Sequence, residues 1–240
     1  MDASATLTEI LAHGYSATLL EDNIYSVLPA GAKHHYDRRS TVYDLIVSTR
    51  LYNSLMWGSS PRDYSAFARE AVCSSSGRLL DAGCGSMLFT AAVYLESARE
   101  IIAFDQSLAM LRRARERLIK LAGSVPERIL LLQADLSALP FRPGTFETAL
   151  FMNVLHQFEG AGIIVPGLKK LLKGNGGIYL TSLISNRRLV GDYYLKTLHA
   201  TGEFVRPRTE LELKQILAES FGEEFSYLTH GNMAFATGQA

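Results

Sequence analysis

The sequence predicts an α/β fold: a doubly wound, mostly parallel sheet of seven strands with an antiparallel last strand, preceded by a helical N-terminal extension. Three observations carry this. From Gly77 onward short apolar runs alternate with helical patterns, as in a parallel sheet covered on both faces. The first run opens into "DAGCGS" (81–86), a glycine turn between a strand and a helix. The last two runs are joined by Gly231-Asn232, a dipeptide suited to a tight turn between antiparallel strands.

Taken in order, residues 1–73 read as helices with short breaks. Thr6-x-x-Glu9 has the form of a capping box, Gly14 ends that first helix, and a second helical segment runs from about Ser16 to Pro29. From Ser40 the positions Val42, Leu45, Ile46, Tyr52, Leu55 and Met56 follow helical spacing. Ser60-Pro61 starts a further helix with Tyr64, Phe67, Ala68 and Ala71 on one side. The strands are "RLLDA" (78–82), "EIIAF" (100–104), "RILLLQ" (128–133), "TALFMN" (148–153), "GIYLTSL" (177–183), "EFSYLTH" (224–230) and "MAFATG" (233–238). Between them Leu108, Leu111, Ala114 and Leu118 mark one helix face, and a helix spans roughly Glu210–Glu219. The division is therefore an extension over 1–73 and a main α/β unit over 74–240.

Composition narrows the function classes. The 240 residues are 48% hydrophobic and 20% charged, ordinary for a globular protein. No apolar run approaches the length of a membrane span and the N-terminus lacks a secretory pattern, so a cytoplasmic protein without stable membrane insertion is expected. Lys plus Arg and Asp plus Glu number 24 each, which leaves no global field to attract nucleic acid. The arginine run 112–117 reads as the solvated face of an amphipathic helix, and residues 1–32 carry four acids and no Lys or Arg. Cys73 and Cys84 lack metal-ligand spacing and read as free thiols.

The glycine turn presents backbone N–H groups at the carboxyl edge of the sheet, where doubly wound folds bind ligands. Gly83 and Gly85 allow close approach, but the dinucleotide fingerprint needs a small residue where Leu88 stands, which disfavours NAD. Three acids stand at successive strand ends: Asp81, Asp105 and Asp135. A carboxylate at Asp105, twenty residues beyond Gly85, suits the two hydroxyls of a ribose, and one at Asp135 suits an exocyclic amine.

At this point the chain resembles the class I S-adenosylmethionine-dependent methyltransferases, with a Rossmann-like fold. "LLDAGCGS", "IIAFDQSLAML", "LLLQADLSALPF" and "FETALFMNVLHQF" match, in order and spacing, the motifs of the small-molecule branch that includes the ubiquinone and menaquinone enzymes. The resemblance implies S-adenosyl-L-methionine as cofactor. It places Asp81, Gly83, Cys84 and Gly85 along the methionine part, Asp105 on the ribose, and Gln106 and Met110 beside the adenine. Asp135 and the Leu136 backbone fall at the adenine edge, and Asn153 under the sulfonium and its methyl group. "YDLIVSTRLYNSLMWG" resembles the N-terminal cover of some relatives, which makes Tyr36, Tyr43 and Trp57 lid contacts. One departure is Met87, where the family usually has glycine: its side chain must point away or narrow the pocket.

In-line methyl transfer needs alignment and exclusion of water more than acid or base chemistry. His156, three residues beyond Asn153, is the candidate base for a small-molecule acceptor attacking through O, N or C; its plain alternative is a backbone hydrogen bond. His34 and His35 are adjacent with no third ligand near, so no metal is expected. Tyr193, Tyr194, His199 and Phe204 follow the fifth strand, and the resemblance assigns that stretch to the acceptor pocket; Tyr193 and Tyr194 are the substrate candidates, with plain core as the other reading. Two rival functions are a catalytically silent cofactor-binding partner module and a nucleic-acid methyltransferase. Against the latter, the fourth strand ends Asn153-Val154-Leu155-His156 without the Pro-Pro-aromatic continuation such enzymes carry. A homodimer is left open.

Overall fold

The computed structural model describes residues 3–29, 49, 52–185, 187–201, 205, 207–222 and 224–240. The first part of the expected helix from Ser40, with Val42, Leu45 and Ile46, lies outside the described residues, as do the His34–His35 pair, Tyr36, Tyr43 and Phe204, while its end at Leu55 and Met56 falls in a short helical turn over Asn53–Trp57.

Among the described residues the sheet has nine strands rather than seven, ordered β1-β2-β5-β4-β3-β6-β7-β9-β8. Five central strands run parallel: β3 (Leu79–Ala82), β4 (Ile101–Asp105), β5 (Ile129–Gln133), β6 (Phe146–Met152) and β7 (Leu172–Leu183). β8 (Phe225–His230) and β9 (Met233–Gln239) form the expected hairpin, with β9 antiparallel to β7. β3 lies between β4 and β6, so the chain order reverses there and opens a crevice at the carboxyl edge.

The two additional strands correct the helical reading of Ser16–Pro29. β1 (Thr18–Glu21) and β2 (Ile24–Ser26) form a hairpin, and β2 then pairs parallel to β5. Asp22-Asn23 makes the turn, with Asn23 in the left-handed region at φ +65, a conformation Asn tolerates well. Ile24 becomes fully buried against an edge that helical periodicity could not foresee. Thr6 does not cap a helix either; it lies buried inside α1 (Ala3–Ile10), while Glu9 reaches Arg78. Residues 3–26 are thus built into the sheet and its cover.

The helices lie where the apolar stripes require. On one face α2 (Pro61–Cys73), α3 (Ala91–Leu95) and α4 (Leu108–Ala122) cover Leu79, Ile101, Leu131 and Leu150. On the other, α1, α5 (Ala161–Leu171) and α7 (Glu210–Phe221) cover Leu80, Ile102, Leu132 and Phe151. α2 begins at Ser60 with the capping box completed by Asp63, as Ser60-Pro61 predicts. At the amino edge the buried Arg99 donates to the carbonyls of Gly77, Ala71 and Val72 and to Thr148 Oγ1, stitching α2 to the sheet.

Candidate functional site

β3 ends in the glycine turn because the N–H groups of Gly83 and Cys84 both donate to the Phe104 carbonyl, each at 2.9 Å. Gly83 and Gly85 have φ of +73° and +51°. A Cβ on Gly83 would stand 2.7 Å from Val154 Cγ2, whereas one on Gly85 would meet nothing within 4 Å. The turn is therefore packed on its β6 side and open above Gly85. The Asp105 carboxylate braces it: Oδ2 accepts from Gly85 N–H at 2.9 Å and Oδ1 from Ser107 N–H at 2.8 Å.

Met87 does not narrow this opening. It takes φ +53 and is 1% exposed, its side chain among the core that includes Tyr64, Phe67 and Leu150. The departure from glycine is absorbed as backbone strain of order 1–2 kcal/mol.

Asp81 sits beneath the turn, 2% exposed, with Tyr94 Oη donating to its Oδ2 at 2.7 Å. Burial, opposed by that bond and aided by Asp105, pushes its carboxyl up to about 7. Burial likewise pushes the Cys84 thiol well up, with Asp81 and Asp105 adding to it, so Cys84 is no nucleophile.

The adenine-side candidates gather at the ends of β4 and β5. Asp135, half-buried, accepts from Ser137 N–H and Oγ at 2.8 and 2.7 Å, while Leu136 and Met110 are buried. Gln133 Nε2 donates to the Gln106 carbonyl at 3.0 Å and Gln133 Oε1 accepts from Ser26 Oγ at 3.1 Å, so β2 helps hold this wall. Neither Gln133 nor Ser26 is singled out by any motif.

His156 lies in a short 3-10 turn (Leu155–Gln157), 6% exposed. Burial, with the nearby Arg208 guanidinium, lowers its pKa to about 3. A general base works best with a pKa near the operating pH, so this imidazole is a poor one. Arg208, which sequence reasoning passed over, organises the turn by donating to the carbonyls of Leu155, Phe158 and Glu159.

At the β7–β9 end, Tyr52, Trp57 and Tyr194 pack together with ring centroids 5.5–6.1 Å apart. Trp57 belongs to a short π-helix (Asn53–Trp57) and its carbonyl accepts from Asn232 N–H at 2.7 Å in the β8–β9 turn. Tyr194 comes from α6 (Leu189–Ala200), whose Gly191 lets the helix approach Asn232 closely. Its neighbour Tyr193 is 76% exposed, so the pair separates: Tyr194 joins the cluster and Tyr193 faces solvent.

A reversal of strand order, a glycine turn open above Gly85 and the Asp105 carboxylate at the next strand end come together at the carboxyl edge of the sheet, where doubly wound folds bind ligands. Residues 80–180 match the family described as a methyltransferase domain. The malonyl-[acyl-carrier protein] O-methyltransferase of Legionella pneumophila is 29% identical over 107 residues, 44% of this chain and 36% of that protein. The chain thus matches little more than a third of the length of the curated relatives it resembles. The [4+2]-cyclase SpnF superposes with a TM-score of 0.61 at 18% identity, over 80% of this chain and 71% of that one. Geranyl diphosphate C-methyltransferase from Streptomyces coelicolor, solved with S-adenosyl-L-homocysteine, gives 0.58 at 11% identity, over 73% and 74%. At such identities these structures speak to the fold alone. No described helix is long and apolar enough to cross a membrane.

Proposed function

We propose that the protein binds S-adenosyl-L-methionine in this crevice and transfers its methyl group to a small-molecule acceptor. The observation that carries the reading is the open Gly85 turn braced by Asp105, a cradle that a side chain on Gly85 would fill. Bound S-adenosylmethionine supplies a methyl group activated by a sulfonium. The chain's own residues bind and orient. Asp105 accepts from the ribose hydroxyls, the turn N–H groups and Gly83–Gly85 backbone receive the methionine part, and Asp135, Gln106, Met110 and Leu136 bound the adenine. Asp81, buried under the turn, supports it from below rather than touching the ligand. Tyr52, Trp57 and Tyr194 wall the acceptor side and exclude water, which is where orientation lowers the barrier. His156 serves as a fold element instead of the base.

The fold also hosts a [4+2]-cyclase, so cofactor binding and methyl transfer are tested separately. Calorimetric titration with S-adenosylmethionine and S-adenosylhomocysteine is expected to give micromolar binding. Asp105→Ala is expected to weaken it about a hundredfold, since charge-assisted bonds are lost, while the melting curve shows a folded protein. No binding by folded wild type would overturn the cofactor site. Binding without turnover across phenols, carboxylic acids, quinols and amines would favour the silent module.

A further inference from the structure

Asn153 leaves β6 in the left-handed region at φ +58, one residue before Val154, which packs on Gly83. A ligand on the glycine turn therefore has Asn153 beside it. Asn153 N–H donates to the Thr181 carbonyl at 3.1 Å and to Thr181 Oγ1 at 3.0 Å, and Thr181 Oγ1 donates to Asn153 Oδ1 at 2.9 Å. Thr181 is fully buried on β7 and Asn153 half-buried. These bonds fix the direction of the carboxamide. Were it turned over, both Asn153 nitrogens would donate to Oγ1, and the buried Thr181 hydroxyl would have no acceptor among the described residues, a costlier arrangement. The amide oxygen is thus committed to Thr181, and no described residue accepts from the two Nδ2 donors, which leaves them to the occupant of the crevice.

We propose that Thr181 is a positioning residue which locks Asn153 with its Nδ2 donors, and not its oxygen, toward the methyl-transfer locus, and that this selects an anionic oxygen as the acceptor atom. The proposal rests on the methyltransferase reading above. A carboxylate, phenolate or enolate oxygen accepts one Nδ2–H bond, which holds it in line, and attacks the methyl carbon with another lone pair. The new O–C bond forms as the C–S bond breaks, and the electron pair of that bond stays on sulfur as a thioether. No proton is released, which suits a site where His156, three residues beyond Asn153, is buried and held neutral.

The test is a binding ratio and needs no acceptor. Wild type, Thr181→Val, Thr181→Ser and Asn153→Asp are titrated with S-adenosylhomocysteine and with sinefungin, the analogue bearing an ammonium at the methyl position. In wild type the Nδ2 donors oppose that ammonium. Thr181→Val frees the amide to turn its oxygen toward it, and the sinefungin-to-homocysteine affinity ratio is expected to rise about tenfold, the worth of one charge-assisted hydrogen bond. Thr181→Ser keeps the wild-type ratio, and Asn153→Asp raises it at least as far as valine does. Equal weakening of both ligands by Thr181→Val would reduce Thr181 to a structural residue and overturn the proposal. An unchanged ratio in Asn153→Asp would remove Asn153 from the locus and do the same. Should Thr181→Val fail to fold, the serine and aspartate variants decide. If folded wild type binds neither ligand, the cofactor reading itself fails and this proposal falls with it.

Discussion

On the β4–β5 side of the crevice, the groups proposed to hold the cofactor sit on or within a few residues of strand ends: Gly83, Gly85, Asp105, Gln106 and Asp135. Their partners are mostly local or on the next strand, as when Asp105 takes Ser107 N–H and Gly85 N–H. On the β7–β9 side the wall is assembled from distant pieces. Tyr52 and Tyr194 touch through their hydroxyls across 142 residues of sequence, and Trp57 docks on a turn at Asn232. One side is written by strand-end chemistry, the other by long-range packing. In the proposed function the first meets the cofactor and the second the acceptor.

If the two sides are independent, the largest single effect should separate them. Trp57→Ala removes a buried ring and is expected to cost about 3–5 kcal/mol in chemical denaturation. S-adenosylhomocysteine affinity at low temperature should stay within about twofold. A large loss of affinity would show that the aromatic cluster also shapes the cofactor half.

Asp81→Asn comes next. Because the folded carboxyl is pushed up from 3.8 to about 7, the protonated form is favoured by folding. This group therefore costs nothing below its unfolded value, and the protein loses up to roughly 4 kcal/mol as the pH rises from about 4 through about 7. The Asn variant should flatten that part of the stability–pH curve and be the more stable at pH 8. A variant less stable at pH 8 would mean that the Tyr94 bond outweighs the burial of charge.

Smaller effects sharpen the same boundary. Met87→Gly relieves left-handed strain but empties a buried site, for a net loss of about 1–3 kcal/mol with cofactor affinity unchanged. A tenfold gain in affinity would show instead that the side chain had crowded the pocket. Tyr193→Ser, at a solvent-facing position, should change stability by less than about 0.5 kcal/mol. Any selective loss of turnover would bring Tyr193 into the acceptor path.

The same contrast explains what the residues disclosed unaided. The parallel core was legible because both-face burial demands continuous apolar runs, and Leu79–Ala82, Ile101–Asp105 and Ile129–Gln133 lie within a residue of their expected bounds. The β1–β2 hairpin was not legible, since its outer strand is mostly exposed and its partner is more than a hundred residues away. Tyr94, Arg208 and Thr181 went unnoticed for a related reason: each looks like filler in its own segment and gains meaning from the group it meets. A threonine inside the apolar run "GIYLTSL" was the available signal, a polar residue at a position that the fold buries completely. His156 shows the converse, a residue type rich in chemical promise whose surroundings silence it.

The pairing of β2 with β5 also sets an order of events. Ile24 leaves the ribosome more than a hundred residues before Leu131, its partner in the sheet. The β4–β5 ladder joins segments far closer in sequence, so its loop closes at lower entropic cost. β2 is therefore made well before the strand it joins, and Ile24 waits with its apolar side uncovered until β5 arrives. Nascent chains stalled before and after Gln133 should differ sharply in protease protection at Leu19 and Leu20, long before any ligand could bind.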